Sequence, residues 1–539
     1  MTLRSLPLAL LVLALRVWQG TPATAQTTAQ IDAVFAHWQG TASPGCTVAV
    51  SQNGQIQHTL AYGMADLEHD VVNTPETVLE PGSVSKQFTA AAAILLAQDG
   101  LISLDDDIRT HFPELPDYGE TVTIRHLLNH NSGLRDWGAV ASIGGWPRTT
   151  RMHTHVQALD ITTRQLSLNY SPGTFYSYTN TGYNLLAMLV ERISGISFAE
   201  FSRTRLFEPL GMSKTEWRDD FTRVVKDRAI AYRPNGTGGY AMQMPFENVH
   251  GNGGLLTTVG DLLAFTHALE SDELGIKEEM HRQGVLNDGR VIAYASGLFV
   301  DEYRGVRQVG HSGATAGYRG YLSRYPDHGL AVAVMCNSAS GNAGRLAHDV
   351  VDLYLADALE DAPSVPSPSV RIPRDRMQML TGRFRNTRNH SMALLEPTTD
   401  GVRGPWGRFS SRTGTLFDGP GGRILEYADD DAFRLIGADG DSLLFERVLS
   451  WEPDIEALKS LEGGYHSAEA EVTYYLTLDA TGLKIADRYG AASLMTPLYE
   501  DAFRSRLGIM RVVRDSRGRT TGLRLTQSRV WDLHFERVD

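Results

Sequence analysis

Two short apolar-rich runs, 46–50 and 56–63, flank the turn Gln52-Asn53-Gly54 and predict a β-hairpin. The stretch PGSVSKQFTAAAAILLAQDGLI follows. Its alanines, leucines and Phe88 favour a helix that Gly100 ends, and its almost wholly apolar middle places that helix inside a domain. IRHLLNHNSGL predicts a second helix, stopped by Asn131-Ser132-Gly133, and a third starts near Asn180 and runs through GYNLLAMLVERISG. From 287 onward strand patterns return in GRVIAYASGLFVD, RQVGHSG, YRGYLSRYP and HGLAVAVMCNS, before a closing helix in GRLAHDVVDLYLADALE. Strands at both ends with helices between them predict an α+β domain.

Beyond that helix the pattern changes. DAPSVPSPSVRIPRD, 361–375, is proline- and serine-rich and reads as an extended linker. Short alternating strands and glycine turns then continue to the end. LTGRF at 380–384 is matched by LEGGY at 461–465, DAFR at 431–434 by DAFR at 501–504, and FERV at 445–448 by FERV at 535–538. Three matches in one order predict two related β units, 376–450 and 451–539, each long enough for a small antiparallel barrel.

With 539 residues the chain is too long for a single core. A net charge of -13 argues against nucleic acid as the main partner. Residues 1–25 carry an early basic residue, an apolar stretch and the ending Ala23-Thr24-Ala25, which reads as a secretory signal cleaved before Gln26. Arg16 and the short apolar run argue against a lasting membrane helix, so the location expected is periplasmic or secreted. Cys46 and Cys336 lie in apolar strand-like runs and read as buried thiols; an oxidising compartment permits a bridge if those strands are neighbours.

Three short elements carry candidate chemistry. Ser83-Val84-Ser85-Lys86 is an S-x-x-K element, whose first and last residues share a helix face. A lysine held in an apolar cleft favours its neutral form and can take a serine proton. Tyr178-Thr179-Asn180 sits just before a helix and presents a tyrosine and an asparagine to one cleft, with Thr179 or Asn180 as the N-cap. His311-Ser312-Gly313 joins strand segments, and its small residues allow a backbone to approach a peptide-like ligand. Tyr176 and Tyr183 compete with Tyr178 but lack its spacing to Asn180. His69, His111, His130 and His250 lack metal-ligand spacing, and GNGG at 251–254 lacks the lysine of a phosphate loop, so neither metal nor cofactor is implied.

Together these elements resemble the serine β-lactamase and penicillin-binding-protein superfamily, in its class C β-lactamase, D-aminopeptidase and esterase branch. LLNHNSGL at 127–134, HGNGGLLTTVGDLLAF at 250–265 and YRGYLSRYPDHGLAVAVMCNS at 318–338 extend the likeness across about 30–355. The resemblance implies a β-lactamase-like domain over 26–360, an antiparallel sheet flanked by helices with a helical subdomain, followed by lipocalin-like barrels. It implies Ser83 as nucleophile, Lys86 and Tyr178 as proton carriers, and the Ser83 and Ala314 amides as oxyanion hole. Asn180, His311, Ser312 and Gly313 would bind substrate. His311 replaces the family's motif lysine. At an ordinary pKa of about 6.5 it would be a weak, pH-sensitive anchor for a carboxylate, which implies little β-lactamase action.

The implied function is a serine hydrolase that cleaves an amide or peptide through an acyl-enzyme, in the manner of a D-aminopeptidase or a hydrolase of D-amino-acid peptides. A carboxylesterase and a penicillin-recognising sensor of slow turnover are the alternatives. The partner expected is a small-molecule, peptide or ester substrate, with the oligomeric state left open. In D-aminopeptidase-like members a barrel loop reaches the site and binds a substrate amine through an acidic residue. EYADDDAFR at 426–434 offers such acids, but reads as a solvated turn.

Overall fold

The computed structural model describes residues 23–360, 370–437, 441–487 and 489–538. The expected signal segment, 1–25, therefore lies outside the described residues up to 22, and the expected linker, 361–375, lies outside them over 361–369. Helix α1 is Ala23–Val34, and the predicted hairpin is β1 (Cys46–Gln52) and β2 (Gln55–Tyr62). Helix α2 is Lys86–Gln98, α3 Trp137–Ile143, α4 Asn180–Ser194 and α5 Val259–Glu270. Strands β3 (Phe299–Tyr303), β4 (Val306–Thr315), β5 (Tyr318–Tyr325) and β6 (Leu330–Cys336) precede helix α6 (Ala343–Leu355).

The six strands form one antiparallel sheet in the order β2-β1-β6-β5-β4-β3. The two-residue period of the central strands sorts their side chains onto two faces. Val48, Val50, Val332 and Val334 pack with α1 and α6, while Ala49, Ala333 and Met335 pack with α2, α4 and α5. Both faces are covered, so β1 and β6 read as continuous apolar runs.

Some local expectations differ. GRVIAYASGLFVD forms a strand only from Phe299, because Tyr294 turns inward and packs on Phe299 and His130. The helix in IRHLLNHNSGL stops at Leu128 and not at Asn131, and His130 takes a left-handed φ of 56°. Cys46 and Cys336 are register partners on neighbouring strands and form a disulfide, so the reading as free buried thiols is corrected. The pairing was hidden because the partners are 290 residues apart.

The C-terminal chain builds two antiparallel structures. Eight strands between Gly382 and Arg447 close into a barrel. Nine strands between Gly463 and Arg537 form a curved sheet whose edge strands, Ala492–Leu494 and Thr496–Tyr499, are separated only by Met495. Two of the sequence matches meet across the seam of each unit. Phe384 pairs with Arg447 and Tyr465 with Arg537, each guanidinium lying over its ring partner. Arg447 donates to the Thr381 and Met379 carbonyls, and Arg537 to the Glu462 and Ser460 carbonyls. DAFR occupies different strand positions in the two units, so that match is not structurally equivalent.

The nine-stranded unit shares a core with the first domain. Trp137, Val140 and Ile143 of α3 pack with Tyr474, Leu476 and Leu523. Arg135, buried beside them, donates to Glu469 at 2.6 Å, Ser167 at 2.9 Å and the Trp531 carbonyl at 3.2 Å. Because the Cys46–Cys336 bond closes a loop of 290 residues, its removal enlarges the unfolded ensemble. Replacing both cysteines by alanine is expected to destabilise the first domain by about 2–5 kcal/mol, read as a lower urea midpoint with a steeper slope from the less compact unfolded chain.

Candidate active site

The sharp entry into α2 fixes the position of Ser83. Gly82 has φ 58°, and residues Gly82–Ser85 form one 3₁₀ turn ahead of the helix. A side chain at Gly82 would stand 2.4 Å from the Ala314 amide nitrogen, and one at Gly313 would stand 2.7 Å from the Ser83 nitrogen. Only hydrogen fits at either position, so β4 and the serine turn are in direct contact and the Ser83 and Ala314 amides lie side by side. Of the two serines, Ser83 alone is partly exposed. Ser85 is fully buried, donates to the Gly82 carbonyl at 2.6 Å and accepts from the Leu255 amide at 3.3 Å.

Lys86 is fully buried. Its Nζ lies 3.0 Å from Asn180 Oδ1, 2.6 Å from the Asn252 carbonyl and 3.3 Å from Ser83 Oγ. Among the described residues no carboxylate lies within ion-pair distance of it. Burial holds its pKa well below the usual lysine value; Arg529 lowers it further, Asp136 opposes this, and Arg148 adds a lesser lowering. A neutral amine has two N–H groups and one lone pair. Asn180 Oδ1 and the Asn252 carbonyl can only accept, so they take the two N–H groups. The lone pair is left for Ser83 Oγ, the one neighbour with a proton to give.

Two further polar groups lock this arrangement. Asn180 is the first residue of α4, capped by Thr179, and its backbone N–H donates to Asp136 at 2.8 Å. Asn184 donates to Asn252 Oδ1 at 2.8 Å and to the His250 carbonyl at 2.8 Å, which holds the 250–254 loop against α4.

Tyr178 lies beside Lys86, whose Nζ is 4.9 Å from the ring centroid. The Tyr178 hydroxyl is buried, and burial raises its pKa while the neighbouring Ser83 hydroxyl and Arg529 offset part of the rise. The phenol is therefore protonated at neutral pH. His130 supports its ring at 4.2 Å, a role that no spacing in the sequence announced. Tyr183 is excluded as a rival because it is fully buried and donates to the Leu128 carbonyl at 2.8 Å. Tyr176 lines the cleft.

His311 differs from the expectation of a pH-sensitive anchor. It is buried, and desolvation together with Lys86 lowers its pKa to about 3. Its Nδ1 donates to the Ser312 carbonyl, so the unprotonated Nε2 accepts from the Tyr294 hydroxyl at 3.2 Å. The ring is a neutral wall at neutral pH. Strand β4 pairs with β5 from Val309 to Thr315 but with β3 only as far as Gly310. One edge of His311–Thr315 is thus left unpaired along the cleft, a geometry that accepts an extended backbone.

The cleft, about 560 Å³, gathers Ser83, Tyr178, Asn180, His311, Ser312, Gly313 and Ala314 along its wall, with Lys86 beneath them. It also contains two residues that the sequence reading missed, Arg148 and Arg529. Arg148 donates through Nε to Glu247 at 2.5 Å and lies over Trp137. Arg529 belongs to the turn between strands Thr520–Gln527 and Val530–Arg537 of the nine-stranded unit. A barrel turn does reach the site, then, but it brings a cation. The acids of EYADDDAFR stay within the first barrel, where Asp430 pairs with Arg376 and Asp431 with Arg447.

An S-x-x-K turn packed on the partly unpaired strand β4, with a tyrosine and an asparagine at the start of α4, defines a serine hydrolase of the β-lactamase fold. The chain matches the beta-lactamase family over residues 31–356 and belongs to that family. It is 29% identical over 420 residues to a D-aminopeptidase of Brucella anthropi, covering 76% of this chain and 75% of that protein. The fold is similar to an octameric penicillin-binding protein homologue from Pyrococcus abyssi, with TM-score 0.56, 24% identity, and 79% of this chain and 100% of that chain covered. It is also similar to a D-amino acid amidase from Ochrobactrum anthropi, with TM-score 0.53, 23% identity, and 62% of this chain and 99% of that chain covered.

Lys86 accepts a proton only when neutral, so activity falls as pH drops through its lowered pKa. The acid limb of kcat/KM is expected to report a pKa below the ordinary lysine value of about 10.4. His311→Asn should leave that limb in place, because the limb is assigned to Lys86, while burial keeps His311 neutral down to about 3. A limb that disappears in His311→Asn would reassign the titration to the histidine.

Proposed function

We propose that this protein hydrolyses an amide or peptide bond next to a D-amino acid through an acyl-enzyme on Ser83. The observation that carries the reading is the placement of Lys86, fully buried, with two carbonyl acceptors at 3.0 and 2.6 Å and Ser83 Oγ at 3.3 Å. In the first half-reaction Ser83 Oγ gives its proton to Lys86 and bonds to the substrate carbonyl carbon. The carbonyl oxygen becomes an oxyanion between the Ser83 and Ala314 amides. The C–N bond then breaks, the leaving amine takes the Tyr178 proton, and Lys86 returns its proton to the phenolate. Water repeats the sequence on the ester, with Ser83 as the leaving group. Asn180 positions Lys86, and the free edge at His311–Gly313 aligns the substrate backbone.

The choice of an amide beside a D-residue is supported by the D-aminopeptidase relative, which shares three quarters of its length with this chain. A periplasmic or secreted location is part of the same proposal. It is supported by the apolar leader with its small-residue ending and by a disulfide joining the two cysteines of the chain. Amino-terminal sequencing of protein recovered from an oxidising compartment is expected to begin at Gln26. An amino terminus upstream of the apolar run would refute the cleavage.

Ser83→Ala is expected to lower kcat/KM on the best of a panel of D- and L-aminoacyl anilides, D-Ala-D-Ala peptides and p-nitrophenyl esters by on the order of 10³-fold or more. Intact mass spectrometry of the wild type should show one acyl group added per chain. Retention of full activity by Ser83→Ala would exclude the mechanism.

A further inference from the structure

Tyr178 has to hold a proton and deliver it in one direction, yet no regular element fixes it. Residues 175–179 are irregular, and α4 begins only at Asn180. On the α4 side the chain is anchored through the Asn180 N–H on Asp136. On the other side the anchor is His130.

His130 is fully buried and grips the irregular stretch at two points. Its carbonyl accepts from the Ser177 N–H at 2.9 Å, and its Nδ1 accepts from the Thr179 N–H at 3.3 Å. These two amides bracket Tyr178, so one residue holds the backbone on both sides of the phenol. The imidazole also packs on the phenol ring itself, with centroids 4.2 Å apart. Tyr294 and Tyr183 close around the same imidazole at 4.5 and 5.0 Å, and Tyr183 is tied to the Leu128 carbonyl.

The grip is made against the local preferences of the chain. His130 has a left-handed φ of 56°, a sparsely populated region for a residue with a side chain. With Nδ1 as acceptor, the imidazole proton sits on Nε2, which has no hydrogen-bond partner among the described residues. A strained backbone and an unpaired buried donor both destabilise, and folding alone gives no reason to combine them at one position. Both follow if the imidazole must stand against Tyr178. Burial, with Lys86 adding to it, keeps the ring uncharged, so the support brings no charge to the proton path.

Resting on the acyl-enzyme reading above, we infer that His130 is a positioning residue that aims the Tyr178 hydroxyl at the leaving-group nitrogen and so governs the cleavage of amides more than that of activated esters. An amine must be protonated as it leaves, whereas p-nitrophenolate departs as the anion. An anilide and an ester with one acyl group form the same acyl-enzyme and differ only in this demand.

The test compares acetyl-D-alanyl p-nitroanilide with the p-nitrophenyl ester of acetyl-D-alanine, using the full-length enzyme. His130→Asn keeps an acceptor and a residue type that tolerates the left-handed backbone, but removes the ring. It is expected to lower kcat/KM on the order of 10²-fold for the anilide and by less than about threefold for the ester, the scale of a displaced general acid. Tyr178→Phe should show the same asymmetry, and adding His130→Asn to Tyr178→Phe should bring no further loss on the anilide. His130→Phe, which keeps a ring and loses the acceptor, carries the same comparison if near-ultraviolet circular dichroism shows His130→Asn to be unfolded. Equal losses on the two substrates, or losses that multiply in the double variant, would overturn the positioning role. Absence of Ser83-dependent turnover of both substrates by the wild type would instead overturn the hydrolase reading, and this role with it.

Discussion

The architecture of the site follows from one buried amine. Placing Lys86 inside the apolar core is costly for the charged form, and among the described residues no carboxylate is brought within ion-pair reach to offset the cost. Two neutral acceptors stand there instead, and each has to be immobilised. Asn180 is held because Asp136 anchors the start of α4, and the Asn252 carbonyl because Asn184 grips its loop from the same helix. Helices α2 and α4 and the 250–254 loop are thereby tied at one point. Beneath that loop lies a buried ion pair: Glu80 receives Arg218 at 3.0 Å and the Gly254 amide at 3.0 Å. Packing supplies the stability of these elements, but the acceptors around Lys86 decide how they meet.

The electrostatics of the cleft follow from the same preference for neutral groups near the serine. Lys86, His311 and Tyr178 all have pKa values displaced by burial toward their uncharged forms. Permanent charge sits farther out, on guanidiniums that cannot be neutralised. Arg148 is balanced by Glu247, whereas Arg529 arrives from another part of the chain and is balanced least. Proton transfer and permanent charge are thus assigned to different side chains, and a change in one set need not detune the other.

How much of this could be read from the residues depended on the distance over which each contact forms. Ser83 and Lys86 are three residues apart and Tyr178 and Asn180 two apart, so local geometry already relates them. The strand at His311–Gly313 was legible from its small residues. The protonation of His311 was not, because its shift is produced by burial in the assembled cleft, with Lys86 adding to it. The hairpin and the apolar strands of Cys46 and Cys336 were evident, but their adjacency is set by sheet order. Arg148 and Arg529 left no local trace at all. Arg148 stands in an irregular loop that Glu247 holds within the first domain, and Arg529 in a two-residue turn that only domain docking brings to the serine. The acidic run at 426–434 drew notice by its composition, yet it is consumed by ion pairs within its own barrel.

The two C-terminal units close in the same way, each with an arginine from the last strand gripping carbonyls before the first. A unit that seals itself at its own seam places few demands on its turns. After such a unit is copied, one copy can lend a turn to a neighbouring cleft while its barrel stays intact. The region that admits substrate is then inherited separately from the region that reacts with it, so new selectivities can arise at the rim of an old catalyst by exchange of a few residues in a turn.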